Sequence, residues 1–151
     1  QGSAASPGAL NAARSLTTGK GPSAVLARDI NGDGKLDILT GNADSGDISL
    51  LSGKGDGTFS AASTLAQVGN VAELLFTDVT GDGRADLVIS GGSPARVTVL
   101  YGFAAGVFSP SARSLQVGGP LAAADVNGDG KTDLLVGQQS GAVLLHLNNT
   151  K

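Results

Sequence analysis

The sequence predicts an all-β fold built from three repeats of a four-stranded unit. Three observations predict it. A nine-residue pattern, Asp-x-Asn/Thr-Gly-Asp-Gly-x-x-Asp, occurs at Asp29–Asp37, Asp78–Asp86 and Asp125–Asp133, and its copies start 49 and 47 residues apart. Short apolar runs flank every copy and end at glycines, as buried strands do. No segment shows sustained helical spacing with caps, while 24 glycines fall between the apolar runs, where tight turns need them. A period of this size makes the repeat, and not the 151-residue length, the unit of description.

In chain order, residues 1–7 are small and polar and are expected to be flexible. A strand d is expected next, over Gly8 to Leu16, because this segment resembles Gly57–Leu65 and Gly106–Leu115, with Leu10 in the place of Phe59 and Phe108. Strand a is a short apolar run leading into each loop: Ala24–Ala27, Leu74–Phe76 and Leu121–Ala124. Strand b follows the loop at Leu36–Thr40, Leu87–Ser90 and Leu134–Val136, and strand c lies at Ile48–Ser52, Val97–Tyr101 and Val143–Leu147. The order is therefore d, abc-d, abc-d, abc, with repeat units at 8–56, 57–105 and 106–151. Four short antiparallel strands with a period in the forties describe a propeller-type blade.

The loops carry the candidate chemistry. Side-chain oxygens fall at positions 1, 3, 5 and 9, with glycine at 4 and 6, and no His or Cys intervenes. That is a set of hard donors, suited to calcium, which accepts six to eight oxygens at flexible angles, and unsuited to zinc. The expected ligands are Asp29, Asn31, Asp33, the Lys35 carbonyl and Asp37; then Asp78, Thr80, Asp82, the Arg84 carbonyl and Asp86; then Asp125, Asn127, Asp129, the Lys131 carbonyl and Asp133. One Ca2+ per loop, about three in all, is expected. Position 12 is Thr40, Ile89 or Val136, so the bidentate Glu of an EF-hand is missing and the loop reads as a hairpin connection around an ion.

These loops, the apolar run after each, and Gly55-Asp-Gly-Thr-Phe59 resemble the FG-GAP/VCBS repeat family, whose blades build integrin-type β-propellers. The resemblance covers residues 8 to 148 and implies adhesion receptors, lectins or appendages to enzymes. Propellers have about four to eight blades, whereas this chain supplies three. Its first strand d lacks its own abc and its last abc lacks a d. The expectation is a permuted (d-abc) array completed by strand exchange between chains, through strands near 8–17 and 142–148, into a ring or a filament. The alternative is a fragment of a longer propeller that acts as a lectin-like or integrin-like ligand-binding module, with a glycan or a protein as its ligand.

Composition limits the remaining function classes. Net charge is −3 without a basic cluster, which disfavours nucleic acid. Nine of the 13 acidic residues lie in the loops, so the acidity belongs to local sites. There is no cysteine, no apolar run long enough to insert in a membrane, and no basic n-region with an apolar h-region that would mark a signal peptide. The protein is expected to be extracellular, secreted or at the cell surface, from the calcium range such modules need and from the resemblance. Catalysis is not expected: His146 is the only histidine, it aligns with the packing residues Leu51 and Leu100, and no partner that would orient a catalytic His is evident. Tyr101 and Phe103, the latter expected in a turn, are the candidate exposed aromatics for a sugar ring, and Asn148-Asn149-Thr150 is a glycosylation sequon.

Overall fold

The computed structural model describes residues 13–104 and 107–150. Among them there is no helix, and eleven strands form three antiparallel sheets. Blade 1 comprises β1 (Pro22–Arg28), β2 (Asp37–Asn42), β3 (Asp47–Leu51) and β4 (Ser63–Gln67), hydrogen-bonded in that order. Blade 2 repeats it with β5 (Val71–Thr77), β6 (Asp86–Gly91), β7 (Arg96–Ala104) and β8 (Val107–Leu115). Blade 3 has three strands, β9 (Leu121–Ala124), β10 (Asp133–Gly137) and β11 (Val143–His146), with β10 in the middle. The expected strands a, b and c are found in every repeat within a few residues, and strand d after blades 1 and 2. Part of the expected first strand d lies outside the described residues. Its described part, from residue 13 onward, joins no strand, and residues 13–17 are exposed. Phe103 lies in β7, and not in the turn where the sequence placed it.

The strands differ by their place in the blade. The second strand has a neighbour on both sides, so β2 and β6 are buried nearly throughout; in blade 2 the apolar run Leu87–Ile89 is also covered by a blade on each face. The outer strand β11 alternates between exposed and half-buried, and every residue of β4 is one or the other. The blades stack in series, β1 against β5 and β5 against β9. Each interface is a small core of its own. Leu39 and Ile48 of blade 1 meet Val71, Leu74, Leu87 and Ile89 of blade 2. Val88, Val97 and Val99 of blade 2 meet Leu121, Leu134 and Val136 of blade 3. Phe76 and Phe108 pack edge to face, with ring centroids 6.3 Å apart, a favourable geometry.

Polar pegs fix the stacking. The Leu121 amide of blade 3 donates to Glu73 of blade 2 at 2.8 Å, and the Ser90 hydroxyl donates to the Gly119 carbonyl at 2.7 Å. Close approach needs glycine at Gly41, where a Cβ would run into the fully buried Val71 across the first interface.

The turn between β2 and β3 carries a buried polar cluster. The Asp47 carboxylate accepts from the hydroxyls of Ser45 and Ser49 (3.1 Å to the latter) and from the Asn42 amide at 3.3 Å. The bond from Ser45 is the main cause that holds the Asp47 carboxyl below the ordinary aspartate value; those from Ser49 and Asn42 add to it, and together they outweigh burial. A carboxylate whose folded pKa is depressed contributes stability above its unfolded pKa, near 4, and loses it as pH falls through the folded value. Asp47→Asn is therefore expected to cost stability at neutral pH and to flatten the acid limb below about pH 4. Urea unfolding at several pH values checks this; an unchanged acid slope would remove Asp47 from the acid response.

Candidate metal centre

Each Asp-rich loop joins the first strand of a blade to the second and is tied by its own side chains. In the first loop Asp29 Oδ1 accepts the Gly32 and Asp33 amides at 2.7 and 3.2 Å, and Oδ2 accepts the Gly34 amide at 2.9 Å. Asn31 Oδ1 accepts the Asp33 amide at 2.9 Å, and Asp33 Oδ1 accepts the Lys35 amide at 2.9 Å. Gly32 and Gly34 sit at φ 74° and 81°, the left-handed region that side chains disfavour, and so let the chain wind around the carboxylates. The third loop repeats the pattern with Asp125, Asn127 and Asp129. In the second loop Asp78 accepts from the Thr80 amide and hydroxyl and from the Gly81 and Gly83 amides, and Asp82 accepts the Arg84 amide.

These bonds shape the electrostatics. The backbone bond from Lys35 is the main cause that lowers the Asp33 carboxyl, and the bond from Gly130 does the same for Asp125. For Asp78, burial pushes the carboxyl up, but the bonds from Gly83, Gly81 and Thr80 outweigh it and leave it lowered. The position-7 side chains of the first two loops lie over their loops, Lys35 Nζ 3.5 Å from Asp33 and Arg84 3.8 Å from Asp82, whereas Lys131 Nζ donates to the Thr150 carbonyl.

The ninth-position aspartates have a task the sequence did not reveal. Asp37, Asp86 and Asp133 are fully buried. Asp37 Oδ2 accepts the Ile30 amide at 3.1 Å, and its Oδ1 accepts the Gly53 amide at 2.8 Å. Asp86 joins Val79 to Gly102 in the same way, and Asp133 joins Val126 to Asn148. Each is a latch from the start of the loop to the end of the blade's third strand. Burial is the main cause that raises the Asp86 carboxyl; Asp78 and Asp82 raise it further, while its two backbone bonds oppose this.

The loops fit a hard cation in donor chemistry: oxygen donors, left-handed glycines, and at the middle loop three carboxylates close enough to oppose one another's charge. Among the described residues, however, no three His, Cys, Asp or Glu side chains converge as a metal cluster. The reason is visible in the bonds above, which turn the carboxylates onto the loop's own amides. Asp29, Asn31, Asp33, Lys35 and Asp37 thus share one loop, as do their counterparts at Asp78–Asp86 and Asp125–Asp133, in the closed form that amide bonding gives.

Outside the loops, a groove of about 560 Å³ runs between blade 2 and β11. Tyr101, Arg113 and His146 line it, and His146 Nε2 is buried with no hydrogen-bond partner among the described residues. Tyr101 is half-buried against the second core, so it is a wall of the groove more than a free platform. Asn148 is buried, its Oδ1 accepting the Thr150 hydroxyl at 2.7 Å, and its Nδ2, the atom a sequon would modify, is buried too.

The geometry agrees with a comparison of sequences. The model of the FG-GAP-like repeat matches residues 29–89 and again 78–136, each span running from one Asp loop through the next. The chain belongs to the FG-GAP-like repeat family. No curated protein matches the sequence. Among solved structures, an Agrocybe aegerita lectin, solved for its specific recognition of non-reducing terminal N-acetylglucosamine, superposes with a TM-score of 0.55 at 24% identity. The match covers 82% of this FG-GAP-like chain but 34% of the lectin chain, about a third of its length. At that identity the likeness concerns the fold: stacked antiparallel blades of the propeller type.

Proposed function

We propose that this FG-GAP-like chain is a non-catalytic, calcium-clipped, extracellular blade array that associates with copies of itself, head to tail, to complete a propeller-type assembly. The observation that carries the reading is the third sheet. Blades 1 and 2 each have four strands, whereas among the described residues blade 3 has three, with β11 at its edge and Val143, Leu145 and Leu147 exposed. An open apolar edge is a liability unless it is covered, and adding a strand is the usual remedy. Repeats of this family are typical of extracellular proteins, and no helix among the described residues is long and apolar enough to cross a membrane.

The loops supply the clip. Calcium bound to the side-chain oxygens at positions 1, 3 and 5, the position-7 carbonyl and the ninth aspartate, sharing them with the loop's amides, would relieve the repulsion among the carboxylates and hold the hairpin. A cation that binds only the folded state stabilises it by about 2.7 kcal/mol per site at a hundredfold excess over Kd. Thermal unfolding in calcium against chelator is therefore expected to show a concentration-dependent rise in Tm, with Asp29→Ala lowering the increment. An identical Tm in calcium and in chelator would remove the clip. Calorimetric titration should resolve the Thr80 loop as the weakest of three sites. Light scattering on the same samples reads the assembly, and a calcium-loaded monomer at micromolar concentration would overturn the self-association.

A second reading has its own support. The lectin likeness and the groove beside Tyr101, Arg113 and His146 suit a lectin-like ligand-binding module, either alone or as part of a longer run of blades. A glycan array that includes terminal N-acetylglucosamine, read with and without calcium, tests it; calcium-dependent hits would favour it over a purely structural role.

A further inference from the structure

The two end faces of the blade array carry the same strand positions that meet at its internal interfaces. At the first internal interface Leu39 and Ile48 form the front of blade 1, and Leu74, Leu87 and Ile89 the back of blade 2. Sheet register carries each position to its counterpart. Leu74 pairs with Ile89, as Val25 pairs with Thr40 and Leu121 with Val136. Ile48 pairs with Gly41, as Val97 pairs with Ser90 and Val143 with Gly137. Where a neighbouring blade exists these residues are covered: Leu74 is 7% and Leu121 8% exposed, and Ile48 and Val97 are 0% exposed. Where the array ends they are not: Val25 is 74% and Val143 65% exposed. The back of blade 1 and the front of blade 3 are thus the two faces of a contact the chain makes twice internally and leaves unmade at its ends.

The missing strand is also present in the sequence. Ala13-Arg14-Ser15-Leu16 is identical to Ala112-Arg113-Ser114-Leu115, the part of β8 that pairs with β7 in blade 2. There Val97 lies opposite Leu115, Val99 opposite Arg113 and Leu100 opposite Ala112. Residues 13–16 are exposed and belong to no strand in this chain. They are anchored next to blade 1, where the Gly19 amide donates to Ser49 at 3.1 Å. Leu16 lies nine positions before Val25, whereas its counterparts Ala66 and Leu115 lie eight before Leu74 and six before Leu121, so the link from residue 16 to β1 is long enough to make the same step between blades. A strand placed so belongs to a blade on the far side of blade 1, and none of the three described sheets stands there.

We propose that copies stack with the back of blade 1 of one molecule on the front of blade 3 of the next. Residues 13–16 of the first molecule then become the fourth strand of the other's blade 3, in the register Leu16–Val143, Ser15–Leu144, Arg14–Leu145 and Ala13–His146. The occupant is a second copy of this chain. The inference deepens the self-association reading above by naming its surfaces and register, and rests on it. The groove beside β11, lined by Arg113, Leu145 and His146, is the space this strand enters.

Because the contact is heterologous, it can be broken from either side and restored by mixing. Val25→Asp spoils one face and Val143→Asp the other; both positions are exposed, so the isolated fold should survive, as circular dichroism and thermal melts would show. In light scattering the parent chain is expected to be oligomeric and each variant monomeric, while the two variants mixed one to one give a dimer and nothing larger. The chain has no cysteine, so an Arg14→Cys, Leu145→Cys double variant reads the register: opposed strand residues lie within disulfide reach, and intermolecular cross-linked ladders should form. Parent oligomers that persist in both variants would overturn this interface and leave self-association standing. A monomeric parent would overturn both. Cross-links absent from an assembling Arg14→Cys, Leu145→Cys variant would overturn the strand register.

Discussion

Asp37→Ala is expected to be among the most damaging single changes to the folded chain, and more damaging than loss of any exposed loop residue. The carboxylate is fully buried and holds two amides, those of Ile30 and Gly53. Removing it leaves both donors unpaired in a buried site. Each buried orphan costs about 1–3 kcal/mol, so about 2–6 kcal/mol should be lost, a large share of the 5–15 kcal/mol typical of a domain. Asp37→Asn keeps one acceptor oxygen but turns an amide toward the other donor, so an intermediate loss is expected. The measurement is urea unfolding in chelator, which separates the latch from any contribution of a cation. A loss below about 1 kcal/mol for Asp37→Ala, well under the cost of two orphaned donors, would mean that the loop re-forms without its latch. Asp86 and Asp133 should behave alike, since they join the same two points of their own blades.

Leu74→Ala should produce the second large effect. The side chain fills the core between blades 1 and 2, and a Leu-to-Ala change at such a site costs about 2–5 kcal/mol through lost transfer energy and the cavity left behind. Val25→Ala is the informative control, because it occupies the same place in its blade. In the isolated chain Val25 is exposed, so its truncation should fall within about 0.5 kcal/mol of zero. The pair of variants thus measures what a neighbouring blade is worth. Equal losses at low protein concentration would mean that Val25 is covered within a single chain, and the end-to-end argument would fail.

Much of this fold was legible in the sequence, for local physical reasons. A repeated Asp-x-Asn-Gly-Asp-Gly loop needs left-handed glycines and side-chain acceptors within a few residues of each other, and both are properties of adjacent residues. Second strands such as Leu87–Ser90 are short, continuous apolar runs because they are central to their sheets and are covered on both faces. The missing last strand was also readable, because strand order follows from the phase of a repeat. Phe103 was misplaced because its glycine and alanine neighbours read as a turn, whereas pairing with β8 extends β7 through it.

The sequence by itself determined the repeat, the strands, the family resemblance and the loop as one oxygen-rich unit. What it could not determine was which oxygens face the loop's own amides and which ends of the array are uncovered. All of the loop aspartates look alike in a one-dimensional pattern. Asp37, Asp86 and Asp133 become latches because the third strand of each blade returns beside the loop and brings an amide to them. Val25, Leu74 and Leu121 occupy equivalent strand positions, yet burial separates them sharply. Burial is a property of neighbours, and neighbours are set by how blades stack, which no single repeat encodes.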